Sequence, residues 1–414
     1  MIKEFCKNCR LGDGEFVGLK FENGNPEVYF PRGFAISDND EQARVDILNL
    51  FSVLRKFSNR REGKNVNNMD GENNLSFPVL SYQYVINDFL EHGYYIEKEV
   101  HYTEATKGKI DWKRTIQKQR PQISNGNVVY LNFIVKTNKI NNNNLITKIH
   151  EYCVYESFLK LGWLYVTNGI LPPKPTIKLN KKMFLNVLNE ALSNTFNDNK
   201  QMLFKSMINI IEQTSENITD KTNISFGVNR FEYVWENMID YIFGEENKDE
   251  YFPHAKWHIL ANKDYKTESS ALEPDTIMCL NQRLYVLDAK YYKYGITNNP
   301  QHLPGSSSIQ KQITYGEYIE EKFSYSQNQI YNAFVMPFKK KKKTDDNYKF
   351  VSVGKAEWKK YSEKTANYYY VLGVLLDTRY VIESYAKHSA KDILELSELI
   401  QNSLKDYRNR FKDE

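Results

Sequence analysis

Two acidic residues and one lysine in the C-terminal half have the types and spacing needed to hydrolyse a phosphodiester. Asp275 ends the segment EPD, and Asp288 and Lys290 follow the apolar run LYVL. The reaction places a fifth oxygen on phosphorus and builds negative charge, which a divalent ion stabilises while lowering the pKa of the attacking water. Because Mg²⁺ prefers oxygen ligands, we expect Asp275 and Asp288 to hold Mg²⁺, with Mn²⁺ as a substitute. Lys290 would orient or deprotonate the water.

The strand pattern around these residues predicts how they meet. Residues two apart share a face of a strand, so Asp288 and Lys290 point the same way. The separation of Asp275 from Asp288 suits a β-hairpin that turns at Asn281-Gln282 and brings the two carboxylates together. A buried strand ending in charges is unusual, because an unpaired buried charge is costly. The alternative is a structural Asp–Lys pair at a strand end.

Two neighbouring helices offer further polar side chains. A helix predicted from Phe231 carries Glu232 and Glu236 on one face, where either could equally be a solvated acid. A later helix begins with three residues that, together with Lys293, we expect to bind DNA: Gln310, Gln312 and Tyr315. A helix N-terminus can hold a phosphate through its free N–H groups. Ordinary helix surface is the alternative for these residues.

The 414 residues are enough for more than one domain. Polar tracts at 136–144 and 214–225 suggest the divisions. They separate a β-rich and helical region (1–144), a helical connecting region (145–221) and an α/β region (222–414) with a mixed sheet flanked by helices.

Composition limits the function classes. A net charge of +4 is too small to indicate a nucleic-acid partner by itself. The four cysteines do not form the pattern of a disulfide framework. No apolar run approaches the roughly 20 residues of a membrane span, and the N-terminus lacks the apolar segment of a signal peptide. We therefore expect a soluble, cytoplasmic protein with no membrane partner.

The segments EPD, LDAKYYK, FEYVWENM and KQITY together resemble the PD-(D/E)xK nuclease domain of McrC-like restriction subunits. Upstream, KGKIDWKRTIQKQRP resembles a segment that precedes this domain, and VGLKF with VYFPRGF resembles the LlaJI-type branch. The resemblance implies a restriction-endonuclease-like mixed sheet and a catalytic set of Asp275, Asp288 and Lys290. In this fold class an acid of the first helix often completes the metal site, and we favour Glu236 over Glu232.

The resemblance also implies a partner. It suggests a subunit of a restriction system that cuts double-stranded DNA together with an AAA+ GTPase of the McrB type, with the N-terminal half serving for docking. The chain has no GxxxxGK[ST] motif, which fits a machine whose nucleotide hydrolysis lies in another subunit. Two alternatives stay open: a non-catalytic adaptor or activator of an AAA+ ring with a vestigial nuclease fold, and a standalone repair-type nuclease.

Overall fold

The computed structural model describes residues 2–9, 15–22, 25–63, 77–124, 126–141, 144–165, 171–214, 225–258, 266–268, 271–323, 325–340, 348–357, 366–385 and 389–410. The helices are α1 (Asp40–Gly63), α2 (Val79–His92), α3 (Trp112–Lys118), α4 (Leu145–Tyr165), α5 (Lys181–Ser193), α6 (Asp198–Gln213), α7 (Phe231–Phe243), α8 (Tyr294–Thr297), α9 (Ser306–Phe323), α10 (Thr378–Ser384) and α11 (Ala390–Arg410). The strands are β1 (Cys6–Asn8), β2 (Val17–Glu22), β3 (Asn25–Phe30), β4 (Glu97–Ala105), β5 (Lys109–Ile110), β6 (Gln122–Ser124), β7 (Asn127–Val129), β8 (Phe133–Asn141), β9 (Ser225–Val228), β10 (Lys256–His258), β11 (Lys266–Glu268), β12 (Thr276–Leu280), β13 (Arg283–Ala289), β14 (Ile330–Phe338), β15 (Phe350–Glu357) and β16 (Tyr370–Asp377).

The chain forms two compact units. One contains residues 1–76 and 222–414, and the other contains residues 77–221. The division into 1–144, 145–221 and 222–414 stays a prediction, and residues 215–224 at its last boundary lie outside the described residues. The observed units group residues 1–76 with the C-terminal part of the chain.

A five-stranded sheet forms the centre of the first unit, with strand order β12-β13-β14-β16-β15. The inner strands β13, β14 and β16 run parallel, while β12 and β15 pair antiparallel at the two edges. The prediction of a mixed sheet flanked by helices is therefore confirmed. Strand β15, with the sequence FVSVGKAE, was not predicted, because its apolar residues do not form the continuous run that identifies the inner strands.

The apolar run of β13 is explained by burial on both faces, as in other inner strands of parallel sheets. On one face, Leu284 and Val286 pack in a core with Ile313 of α9. On the other face, the hydroxyl of Tyr285 accepts a 2.8 Å hydrogen bond from the Gln401 amide of α11. The strand is thus fixed from both sides up to the point where Asp288 ends the apolar run.

A second sheet in this unit joins sequence-distant strands in the order β1-β3-β2-β9. The N-terminal strands follow from the alternating segments near residues 17 and 28, as predicted. Gly18 has a φ of 139° and faces the carbonyl of Phe226, so a side chain there would collide with the partner strand. Strand β9 pairs antiparallel with β2 and ties the chain beyond residue 224 to its beginning.

In the second unit, the structure differs from two predictions that were made from local sequence. The segment KGKIDWKRTI was predicted as a turn and a basic strand. Its first part does form the short strand β5, Lys109–Ile110, but α3 begins at Trp112. The reason is that Asp111 caps this helix by accepting a 3.0 Å hydrogen bond from the Arg114 N–H. The polar tract 136–144 was predicted as a linker, but β8 extends through Asn141 because it pairs along its length with β4. None of the helices in the described residues combines the length and apolar character required to cross a bilayer.

Candidate active site

A tight hairpin brings the two carboxylates together. Strands β12 and β13 pair antiparallel, with Thr276 opposite Leu287. The turn residues Asn281 and Gln282 have φ angles of 51° and 59°, as a two-residue hairpin turn of the I′ type requires. The predicted turn is therefore confirmed. Continuing this register by one residue places Asp275 opposite Asp288.

Each carboxylate is held by a specific contact. Oδ2 of Asp275 accepts a 2.9 Å hydrogen bond from the backbone N–H of Ala289. Oδ2 of Asp288 lies 2.9 Å from Nζ of Lys290. Asp288 is only 3% exposed, whereas Asp275 is half-buried at the rim. The structure thus brings Asp275, Asp288 and Lys290 into one cluster at the end of the inner strand.

Helix α7 is anchored so that Glu236 faces this cluster. The indole N–H of Trp235 donates a 3.2 Å hydrogen bond to the carbonyl of Val335 in β14. The same carbonyl accepts a 2.9 Å hydrogen bond from the Lys290 N–H. Glu232, one turn earlier, instead bonds Arg230 at 2.7 Å. Of the two acids left open by the sequence, Glu236 is the one whose pKa is affected by the charges of Lys290 and Asp288.

Burial and mutual repulsion shift the pKa values of the cluster. Burial, followed by the charges of Asp288 and Glu236, raises the pKa of Asp275 well above its usual range. Burial also raises the pKa of Glu236 to about 7, with Lys290 opposing the shift and Asp288 adding to it. Burial lowers the pKa of Lys290, but Asp288 and the other two acids raise it more. The site therefore concentrates more negative charge than its one lysine offsets, which favours a cation.

The chemistry of the donor set fits Mg²⁺. Mg²⁺ sites commonly use one or two carboxylates and complete the shell with water and substrate phosphates. Asp275 and Asp288 are such a pair. Among the described residues, no group of three or more His, Cys, Asp or Glu side chains is placed to hold a metal ion together. The role of Glu236 as a third ligand therefore stays a prediction.

The four residues predicted to bind DNA differ in how deeply they are buried. Gln310 and Lys293 are half-buried, but Gln312 and Tyr315 of α9 are fully buried. Burial raises the pKa of the Tyr315 phenol, as do Asp288 and Asp275, so this hydroxyl lies near the acidic pair. In the described part of the chain, the Gln312 amide and the Tyr315 hydroxyl have no hydrogen-bond partner. Direct contact of these two residues with DNA would require them to turn outward, and the DNA-binding role of all four stays a prediction.

Sequence reasoning missed Arg32, which supports the residue that follows Lys290. Its backbone N–H donates to the Tyr291 hydroxyl at 2.6 Å, and its guanidinium donates to the Tyr291 carbonyl at 2.9 Å. The guanidinium also forms an ion pair with Glu15, and both side chains are largely buried. In the sequence Arg32 is one more basic residue beside a proline, so no local signal identifies it.

Sequence reasoning also missed Lys248, which donates 2.6 Å hydrogen bonds to Asp240 of α7 and to the backbone carbonyl of Asp275. It lies in the charged segment EENKDE, where a solvated surface lysine is the ordinary expectation. Only the fold brings this segment against the acidic pair.

The fold and the site together define a mixed α/β protein with a carboxylate pair and a lysine at one end of its central sheet. The family model described as LlaJI restriction endonuclease matches residues 16–359. The chain therefore belongs to the LlaJI restriction endonuclease family.

Two further comparisons give proteins to which the chain is similar. The chain is 25% identical over 340 residues to the type II restriction enzyme BsuMI component YdjA of Bacillus subtilis (strain 168), covering 78% of this chain and 72% of that protein. Among solved structures, it matches a chain of the Thermococcus gammatolerans half-complex of McrB AAA+ hexamers with bound McrC. That match has 14% identity and a TM-score of 0.37, and covers 95% of this chain and 82% of the other.

Proposed function

We propose that this protein is the DNA endonuclease subunit of a restriction system and hydrolyses phosphodiester bonds in double-stranded DNA. The proposal rests above all on the pairing of Asp275 and Asp288 beside Lys290 at the end of a buried strand. Membership of a restriction endonuclease family supports the same activity. The sheet would then be of the PD-(D/E)xK type, with Mg²⁺, or Mn²⁺ in its place, as the cofactor.

Each residue of the cluster has a distinct task in this proposal. Bound Mg²⁺ would supply Lewis-acid stabilisation of the charge on phosphorus and a lower pKa for water. Asp275 and Asp288 would hold the ion through carboxylate oxygens. Lys290, kept beside Asp288, would orient the attacking water or accept its proton. Glu236, with its pKa near 7, would assist by holding a proton or a further water.

We further propose that the chain works with an AAA+ GTPase of the McrB type, which the sequence resemblance implies. The second unit offers a surface suited to protein contact. It contains an open apolar pocket of about 520 Å³ lined by Trp112, Ile116, Val128, Val129, Tyr130 and Phe133. Trp112, Ile116 and Val128 are each more than half exposed and line the same pocket, and a contiguous apolar patch of this kind is typical of a contact surface.

Plasmid cleavage by the purified chain, with and without the partner GTPase, GTP and Mg²⁺, tests the proposal. We expect cutting only in the complete mixture. With Asp288→Ala, cutting should be lost while stimulation of GTP hydrolysis is retained. Unchanged DNA processing by Asp288→Ala would favour the adaptor function. Cutting by the chain alone, without nucleotide, would favour a standalone repair-type nuclease.

A further inference from the structure

Lys248 joins two elements of the acidic site although it belongs to neither of them. It follows α7 and precedes a short 3-10 helix, Asp249–Tyr251. Its Nζ donates to Oδ1 of Asp240 and to the backbone carbonyl of Asp275, both at 2.6 Å. The side chain is only 20% exposed. A charged hydrogen bond in such a place is stronger and better fixed than one in open solvent.

The carbonyl that Lys248 holds belongs to the residue just before β12. The paired part of that strand begins at Thr276, so Asp275 enters the sheet from a bend. The Ala289 N–H holds the carboxylate of Asp275, while Lys248 holds its main chain. One contact to the main chain and one to the carboxylate therefore set both the position and the direction of the Asp275 side chain.

The segment around Lys248 is itself fastened to β12. The Glu245 N–H donates a 2.8 Å hydrogen bond to the carbonyl of Ile277, two residues beyond Asp275. The Gly244 N–H closes the end of α7 on the carbonyl of Asp240, the residue whose side chain holds Lys248. Hydrogen bonds thus fix the segment that carries Lys248 to both α7 and β12. Through the bond from Lys248 to Asp275, the position of α7 can therefore affect the position of the acidic pair.

We propose that Lys248 is a positioning residue, which holds Asp275 so that its carboxylate meets that of Asp288 at the distance a shared divalent ion needs. This inference rests on the proposed function. It assigns Lys248 no contact with substrate, and its charge acts through the main chain of Asp275. A residue that orients a metal ligand commonly changes metal affinity by about tenfold to a hundredfold when it is removed.

The test compares divalent-ion binding by full-length variants. Lys248→Met removes the ammonium group but keeps most of the apolar stem, and Lys248→Arg restores a charged donor. Lys322→Met is the matched control, because Nζ of Lys322 also donates to a backbone carbonyl at 2.6 Å, that of Glu250, on an exposed surface. Mn²⁺ affinity is measured without DNA by electron paramagnetic resonance, and the Mg²⁺ dependence of DNA cutting is measured with the partner present.

We expect Lys248→Met to weaken Mn²⁺ binding roughly tenfold to a hundredfold and to shift the Mg²⁺ dependence in the same direction. Lys248→Arg should recover part of the loss, and Lys322→Met should match the wild type. Wild-type Mn²⁺ affinity in a folded Lys248→Met variant would overturn the inference. Should that variant not fold, Asp240→Ala, which removes the support of Nζ, must show a smaller loss in the same direction.

Failure of the proposed function would give a different pattern of Mn²⁺ binding from failure of the Lys248 inference. In that case the wild type itself would bind no Mn²⁺, or Asp288→Asn would bind it as well as the wild type does. The inference about Lys248 fails alone when the wild type binds Mn²⁺, Asp288→Asn does not, and a folded Lys248→Met variant binds it normally. Where Lys248→Met does not fold, normal binding by Asp240→Ala has the same meaning.

Discussion

The backbone N–H of Ala289 donates a 2.9 Å hydrogen bond to Oδ2 of Asp275 and so fixes the acidic residue of one strand to the neighbouring strand. Ala289 lies between Asp288 and Lys290, and its side chain points to the opposite face. Its main chain is therefore free to hold Asp275 while its two neighbours face the site. The contact engages one oxygen of Asp275, much as Lys290 engages one oxygen of Asp288.

Replacing Asp288 by Asn should lower the DNA-cutting activity but raise the stability of the metal-free protein. We expect DNA cutting to fall by about a thousandfold or more, because stabilisation by the metal is worth several kcal/mol. The metal-free protein should instead melt roughly 2–4 °C higher at about pH 8, because the variant removes the negative charge that raises the pKa of both Asp275 and Glu236, while Asn can still accept a bond from Lys290. Calorimetry and a cleavage assay on the same preparation measure both effects.

The control for this variant is Glu357→Gln, which removes a carboxylate from the edge strand β15, where it pairs with Lys355 at 3.3 Å. It should change neither the cutting rate nor the melting temperature appreciably. A drop in melting temperature for Asp288→Asn would contradict the view that repulsion dominates the metal-free site.

The two acids of α7 should behave differently. Glu236→Gln should lower the cutting rate by about tenfold to a hundredfold, because Glu236 faces Asp288 and Lys290. Glu232→Gln should leave the rate near that of the wild type, because Glu232 pairs with Arg230 at the surface. Single-turnover cleavage rates of the two variants measure this difference. Equal losses would mean that Glu236 has no special role in the site.

The N-terminal residues should be essential to the stability of the unit that contains the acidic site. Arg32→Met should reduce the free energy of unfolding by about 3–5 kcal/mol, because it leaves the largely buried carboxylate of Glu15 without its ion pair. Arg230→Met, at an exposed pair, should leave the free energy of unfolding nearly unchanged. Urea denaturation followed by tryptophan fluorescence compares them, and similar small losses in both would argue against a supporting role for Arg32.

The second unit should lose stability in acid through His150. This histidine is fully buried and its Nδ1 accepts a 2.8 Å hydrogen bond from the Tyr95 N–H. Burial lowers its pKa from 6.5 to about 4. The unfolded chain therefore binds a proton that the folded chain excludes, so stability present above pH 6.5 is lost as the pH falls toward 4. The full loss is about 3 kcal/mol.

His150→Asn tests this dependence, because Asn retains an acceptor for the Tyr95 N–H but does not titrate. Urea denaturation between about pH 7 and pH 4.5 should give a flatter pH profile for this variant than for the wild type. His92→Asn is the control, since that imidazole is 67% exposed and should leave the profile unchanged. A wild-type slope in His150→Asn would contradict the prediction.

Several features of this fold could be predicted because their signals are local. The apolar run of β13, the turn at Asn281-Gln282 and the face of α7 each follow from neighbouring residues alone. The error at α3 has a local cause, the cap by Asp111, whereas the error at β8 comes from pairing with a distant segment. The polar end of strand β8, from residue 136, was predicted as a linker, but its ladder with β4 provides the hydrogen bonds that its sequence does not suggest.

The sequence by itself determined which groups could do chemistry: two carboxylates and a lysine, set on a hairpin whose turn fixes their register. It did so because strand alternation and turn geometry act over a few residues. Only the tertiary structure decided which remote groups hold that set in place. Arg32 and Lys248 look like ordinary surface charges in the chain, and they become supports of the site because folding buries them against Tyr291 and Asp275.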